Sequence, residues 1–273
     1  MLALPASWPF RWSGSLETDH REGRIVRFIT SSPAAPQVPP AAPAVFGFQG
    51  VTLNLPVQGI LFDMDGILVS SLGSVERSWA KWGDMRGVDG AKAIQTAHGK
   101  RAIETIRLLR PDLDDVAELA VIEQIEIDDT EGLMVLPGVQ GLLQSLPQGS
   151  WTICTSATKR LARIRMEHAG LTPPQDFISA DMVDHGKPHP EPYLRGAALL
   201  GFAPDRCLVI EDAPAGCAAG KAAGATVLAT LFSHTAEQLS AADYLIHSLE
   251  GLRVTGYAGD LTVCFEPVSP HAR

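Results

Sequence analysis

The chain has 273 residues, of which 45% are hydrophobic and 19% charged, and it carries a formal net charge of −9. This composition supports a packed core and excludes a globally disordered chain, and the length suits one large domain or two small ones. The acidic balance argues against general nucleic-acid binding, which needs a basic face. It leaves room for an anionic substrate wherever a metal or a lysine reverses the local field. In chain order, residues 1–50 come first and stand apart. Their stretch "SSPAAPQVPPAAPAV" (31–45) is Pro/Ala-rich without periodicity and predicts an extended linker within a disordered extension. Arg11 is followed by Glu17, Asp19 and Glu22 with no long apolar run, so no secretory signal is expected. No apolar run reaches the roughly eighteen residues of a bilayer span, so no membrane association is expected either.

From residue 51 the pattern changes. "VTLNL" alternates and predicts a short strand, and "GILF" (59–62) is a compact apolar run suited to a strand buried on both faces. Residues 72–137 read as helices, in "SVERSWAKWGDM", "KRAIETIRLLRP" and "LDDVAELAVIEQIEIDDTEGL", with no strand run between them. They predict a small all-helical module inserted after the first strand. Strand runs resume with "WTIC" (151–154), "CLVI" (207–210), "TVLAT" (226–230) and "YLIH" (244–247). Helical stretches separate them: 158–170, ended by Gly170; 190–201, opened by prolines; and 214–225, made almost wholly of small residues that let a helix lie close to a sheet. Alternation of this kind predicts an α/β fold, a doubly wound parallel sheet built from residues 51–71 and 138–250. Residues 251–273 predict a C-terminal β-hairpin around "YAGD" and a tail. Cys154, Cys207, Cys217 and Cys264 show no metal-ligand spacing. They read as buried small side chains in a reducing compartment, consistent with a cytoplasmic protein.

In an open parallel sheet, ligands bind beyond the carboxyl ends of the strands. The first strand delivers Asp63 and Asp65 there, the second Thr155 and Ser156, and the third Glu211 and Asp212. The loop "HGKPHPEPY" (185–193) adds Lys187. Each feature alone has an ordinary reading: a solvated acidic turn, a helix N-cap at Ser156, a surface lysine, acids at a helix start. Together, at successive strand ends, they predict one site. Several carboxylates in one crevice repel, so a divalent cation is expected, and hard oxygen ligands suit Mg²⁺. With Lys187 also neutralising charge, a phosphate can approach Asp63, which is placed to attack phosphorus. Asp65 is placed to protonate the leaving oxygen and later activate water. The Ser156 hydroxyl and backbone N–H groups near Ala157 would hold phosphoryl oxygens.

The ordered set "FDMDGILV", "TICTSAT", "GKPHPEPY" and "VIEDAPAG" resembles the haloacid dehalogenase superfamily of phosphatases over about residues 57–250. The helical insertion is similar to that family's small α-helical cap. The resemblance implies Asp63 as nucleophile, Asp65 as acid/base, Thr155, Ser156, Ala157 and Lys187 around the phosphate, and Lys187 as charge stabiliser. It further implies Mg²⁺ held by the Asp63 side chain, the Asp65 carbonyl and Asp212, with Glu211 helping directly or through water. "HGKRAIETI" (98–106), the "EDAPAGCAAGKAAGA" run and the tail "LRVTGYAGDLTVCFEP" are similar to the yeast-type glycerol-phosphate and 2-deoxyglucose-6-phosphate phosphatases. Ile67 and Ser70 depart from commoner residues of the first motif, without removing a proposed catalytic group.

A cap closing over the leaving group would set specificity, and His98, Lys100 and Arg101 are the candidates; Trp79 and Trp82 read as core of the helical module. These readings make the chain a Mg²⁺-dependent phosphatase of a small polyol or sugar phosphate, monomeric or homodimeric. Rivals are a sugar-phosphate mutase, a phosphatase of a prenyl-type phosphate, and a non-catalytic binding protein on the same fold.

Overall fold

The computed structural model describes residues 51–268. The extension and linker over 1–50 and the end of the tail lie outside the described residues. The chain enters through strand β1 (Leu53–Val57) and turns at once into β2 (Gly59–Phe62). A two-residue strand β3 (Val69–Ser70) leads into four helices: α1 (Leu72–Arg86), α2 (Gly90–Ala97), α3 (Ala102–Leu109) and α4 (Asp115–Asp128). Strand β4 (Met134–Val135) then returns antiparallel to β3, so the two chain crossings of the helical module are stitched by a short ladder. Two residues are too few to leave an alternating pattern, which is why residues 72–137 read as wholly helical. Helix α2, "GAKAIQTA", went unread for a similar reason: eight residues opened by glycine carry little helical signal.

The remaining elements alternate. Helix α5 (Val139–Ser145) precedes β5 (Trp151–Ile153), α6 (Lys159–His168) and α7 (Glu191–Leu200). Strand β6 (Cys207–Glu211), helix α8 (Pro214–Ala222), and strands β7 (Thr226–Thr230) and β8 (Tyr244–Ile246) complete the wound sheet. Its order is β5-β2-β6-β7-β8 and every pairing is parallel. The expected doubly wound α/β architecture is therefore present. Both faces are covered: Ile60 and Phe62 of β2 join a core with α5 and α6, while Leu61 joins a second core with α7 and α8. Burial on both sides explains the unbroken apolar runs.

The last two strands, β9 (Arg253–Tyr257) and β10 (Asp260–Phe265), form a hairpin that pairs with β1 in a separate three-stranded antiparallel sheet. Leu261, Val263 and Phe265 point from it into the first core. The four inserted helices have their own core around Trp79, Trp82, Ile106 and Ile122, with Trp79 and Trp82 edge to face at 5.4 Å. Helix α1 stops at Gly87, which takes the left-handed conformation and donates its N–H to Gly83. Helix α4 starts where the Asp114 carboxylate caps the N–H groups of Val116 and Ala117.

The candidate active site

Strand order decides where a site can form. The first strand of the parallel sheet, β2, sits between the second, β5, and the third, β6, so successive connections leave in opposite directions. That divergence opens a crevice beyond the carboxyl ends of β2 and β6. Asp63 follows β2 there, and Glu211 ends β6 with Asp212 next. All three are buried, and oxygens from the three carboxylates lie within 4.8 Å of one another.

Lys187 enters this acidic cluster from the loop before α7. Its ammonium donates to Asp63 Oδ1 and Glu211 Oε1, at 2.7 Å each. Tyr193, in the first turn of α7, donates its hydroxyl to the same Glu211 oxygen at 2.7 Å. The other Glu211 oxygen accepts the N–H groups of Asp212 and Ala213, at 2.9 and 3.0 Å. Four donors thus occupy Glu211, about what a carboxylate's lone pairs accept. Glu211 stands with Asp63 and Asp212 in the acidic group, but its filled oxygens suit it better to hold Lys187, and to help a cation through water, than to coordinate one directly.

The glycines show how tight the arrangement is. A Cβ on Gly216 would lie 1.6 Å from Glu211 Oε1. A Cβ on Gly66 would lie 2.0 Å from Asp212 Oδ2, and Gly66 has φ +81°, a conformation that side chains disfavour. The glycine after the paired aspartates is thus required on both counts.

Charge follows from burial. Removal from water pushes the Asp63 carboxyl up to about 7 against the pull of Lys187, and the Glu211 and Asp65 charges add to the rise. Asp212 is raised well above the ordinary carboxylate range by burial, with Glu211 and Asp63 adding to it, although Ser233 donates to its Oδ2 at 2.5 Å. Burial alone would raise Glu211 too, but the charge and hydrogen bond of Lys187 bring it below its usual value. Burial opposes the charge on Lys187; Asp63 and Glu211 outweigh it and raise the amine's pKa. Three carboxylates face one ammonium, and burial drives Asp63 and Asp212 toward their protonated forms; a hard divalent cation would take the place of those protons. An oxygen-only donor set of this kind fits Mg²⁺, and Asp63 and Asp212 are the side chains with oxygens most free to hold it.

The other expected residues sit as follows. Asp65 is outside the buried triad; its Oδ1 accepts from the Ser71 hydroxyl at 2.5 Å and from Arg165 at 3.0 Å. Thr155 turns its hydroxyl back to accept the Ala157 N–H at 3.0 Å. Ser156 donates across to the Gly99 carbonyl of the helical module at 3.1 Å, so its proton is already engaged. Asp63, Asp65, Ser156 and Asp212 all line one cavity of about 320 Å³, roofed by the helical module. His98 lines it too, edge to face with His234 at 4.7 Å; burial, then the nearby His234, favours the neutral ring. Lys100 stands exposed at its edge.

Arg101 lines the cavity as well, with its guanidinium engaged elsewhere. Its guanidinium donates to the carbonyls of Ala180, Val183 and Asp184 and to Glu104, and it is buried. It fastens α3 to the loop carrying Lys187 and has little left for a substrate. Residues that the sequence reading missed are Tyr193, Ser233, Ser71, Glu126 and Arg165. Tyr193 lay inside the quoted "GKPHPEPY", and an aromatic with a polar tip in the first turn of α7, directly after the loop that carries Lys187, was the available signal. The others gave none.

A family model described as haloacid dehalogenase-like hydrolase matches residues 57–224. Hexitol phosphatase A of Escherichia coli (strain K12) is 42% identical over 203 residues, covering 72% of this chain and 94% of that protein. Glycerol-1-phosphate phosphohydrolase 2 of Saccharomyces cerevisiae is 36% identical over 219 residues, covering 75% of this chain and 88% of its own length. A crystal structure of a hydrolase from Pseudomonas syringae superposes with a TM-score of 0.64 at 23% identity, over 71% of this chain and 94% of that one, and shows the shared fold. The family match spans more than half of the sequence and includes the two strand ends that carry the buried carboxylates, so this chain belongs to the haloacid dehalogenase-like hydrolases.

Proposed function

We propose that the chain is a Mg²⁺-dependent phosphatase of a small polyol or sugar phosphate, acting through an aspartyl-phosphate on Asp63. The observation that carries this reading is the Lys187 bridge between Asp63 and Glu211 beside Asp212, with Asp63 and Asp212 lining the cavity. Lys187 occupies Asp63 Oδ1, leaving Oδ2 as the nucleophilic oxygen. Attack by Oδ2 forms a bond to phosphorus as the ester P–O bond breaks, and the departing alkoxide takes a proton from Asp65. Water then attacks the aspartyl-phosphate, passing a proton to Asp65; the bond to Asp63 breaks and inorganic phosphate leaves. Lys187 and the N–H groups around Ser156 and Ala157 stabilise charge on the phosphoryl oxygens, once the Ser156 proton shifts from Gly99 to the substrate. A bound Mg²⁺ would add charge neutralisation at Asp63 and Asp212. Roofing by the helical module supports exclusion of bulk water, and His98 and Lys100 are placed to select the leaving group.

The names of the relatives support a hydroxylated substrate. A second reading has one observation in its favour: Leu72, Val75, Trp79, Ile103 and Phe232 give the cavity an apolar wall that an apolar leaving group, such as a prenyl chain, would also fit. Among the described residues no helix is long and apolar enough to cross a membrane, in keeping with the proposed cytoplasmic setting.

The test is a phosphate-release screen over hexitol, glycerol, sugar and prenyl phosphates, with Mg²⁺ and with chelator. Release from the hydroxylated esters that chelator stops is expected; an isomeric sugar phosphate in place of free phosphate would instead mark a mutase. Asp63→Asn should abolish turnover with an unchanged circular dichroism spectrum, and full activity in that variant would remove Asp63 from the mechanism.

A further inference from the structure

Arg165 belongs to none of the motifs, yet it is among the most buried charges of the described residues, with its side chain 3% exposed. It lies on α6 and spans two elements that are far apart in the chain. Its Nη1 donates to Asp65 Oδ1 at 3.0 Å and its Nη2 to Glu126 Oε1, on α4, at 3.3 Å, while the buried Nε has no partner among the described residues. Burying a guanidinium and a carboxylate carries a large desolvation cost, and apolar residues of the same size often stabilise a fold as well or better. Stability alone is therefore a weak reason for Arg165.

Its geometry offers a stronger one. Both donors to Asp65, Ser71 and Arg165, fall on Oδ1, and Oδ2 has no protein partner among the described residues. A planar, forked guanidinium fixes direction as well as distance, which a flexible ammonium does not. Arg165 also lines the cavity that holds Asp63 and Asp65. We propose that Arg165 is a positioning residue for Asp65: by holding Oδ1 it aims Oδ2 at the oxygen that gains or loses the proton, and through Glu126 it ties that aim to the seating of helix α4. The inference rests on the phosphatase reading above.

The chemistry supplies a readout that a merely structural role would not move. An alkyl phosphate leaves as a strongly basic alkoxide and needs the proton of Asp65 as its P–O bond breaks. A p-nitrophenyl ester leaves as a stable phenolate and needs none. Both then require Asp65 to take a proton from water when the aspartyl-phosphate is hydrolysed. Misaiming Asp65 therefore slows the first step for the alkyl ester and the second step for both.

The experiment compares the full chain and Arg165→Met, with Mg²⁺, on a hexitol phosphate and on p-nitrophenyl phosphate in stopped flow. The expected result is a fall of about 10²-fold in kcat on the hexitol ester with little change in KM. On the nitrophenyl ester, a burst of about one equivalent of p-nitrophenolate should appear at the rate of the unmodified enzyme, followed by slow turnover. Should Arg165→Met fail to fold because it strands Glu126, the double variant Arg165→Met/Glu126→Gln carries the same test without a stranded charge on α4. Equal slowing of the burst and of steady turnover, or no slowing of either, overturns the inference alone. Absence of phosphate release from either ester by the unmodified enzyme overturns the phosphatase reading and this inference with it.

Discussion

Glu211 and Asp212 are neighbours in sequence and do different work. Glu211 has its oxygens filled by Lys187, Tyr193 and two backbone N–H groups, whereas Asp212 accepts one side-chain hydrogen bond, from Ser233. The difference predicts a split between two isosteric variants. Asp212→Asn should raise the Mg²⁺ concentration for half-maximal phosphate release by more than an order of magnitude, as loss of a ligand does. Glu211→Gln should chiefly lower kcat, because Lys187 loses one of its two carboxylate partners; outer partners of this kind cost about 10- to 100-fold. A metal titration of activity for both variants checks this, and equal shifts in Mg²⁺ demand would restore Glu211 as a ligand. At this scale Asp63, Asp65, Lys187 and Asp212 were legible because each sits in a short run with its own backbone signature. Tyr193, Arg165 and Glu126 were not, since their roles depend on partners that only packing brings near. Arg165 and Asp65, for example, are 100 positions apart.

Helices α4 and α6 meet through the Glu126–Arg165 pair, and that junction should respond to pH. Burial holds the Glu126 carboxyl up to about 7 even with Arg165 beside it, and the Asp65 charge adds to the rise. The folded state therefore binds this proton more tightly than the unfolded chain does. Its stabilising contribution is complete below the unfolded value near 4.5 and is lost as the pH climbs from there to about 7. Glu126→Gln, which keeps the shape and cannot ionise, should flatten the dependence of Tm on pH across that window. Thermal melts at several pH values between 4.5 and 8 check it; parallel curves for variant and parent would exclude Glu126 as the source. Elements themselves divide by signal strength. β2, β6 and β7 read directly because burial on both faces makes them continuous apolar runs, and α8 read as a close-packed helix, which Gly220 bears out: its Cβ would lie 2.8 Å from Val227. β3, β4 and α2 were lost because their few residues carry no period.

For the whole molecule, the cluster of buried carboxylates carries a desolvation cost that a bound cation would relieve. A ligand that binds only the native state stabilises it by mass action, so Mg²⁺ should raise Tm. The cation competes with the proton on Asp63, which titrates near 7 in its absence, so the rise should be larger at pH 8 than at pH 6. Melts with Mg²⁺ or chelator at the two pH values decide it; an equal or reversed effect would argue against a cation at these carboxylates. The sequence by itself determined the wound α/β core, the inserted helices and the acids and lysine at the strand ends. These follow from local causes: apolar period, turn chemistry and small-residue helices. Only the tertiary structure decided that Lys187 bridges Glu211 to Asp63, 124 positions away, that Arg101 locks a loop, and that Arg165 reaches Asp65. Strand order and helix packing set those meetings, and neither is written into any short stretch of chain.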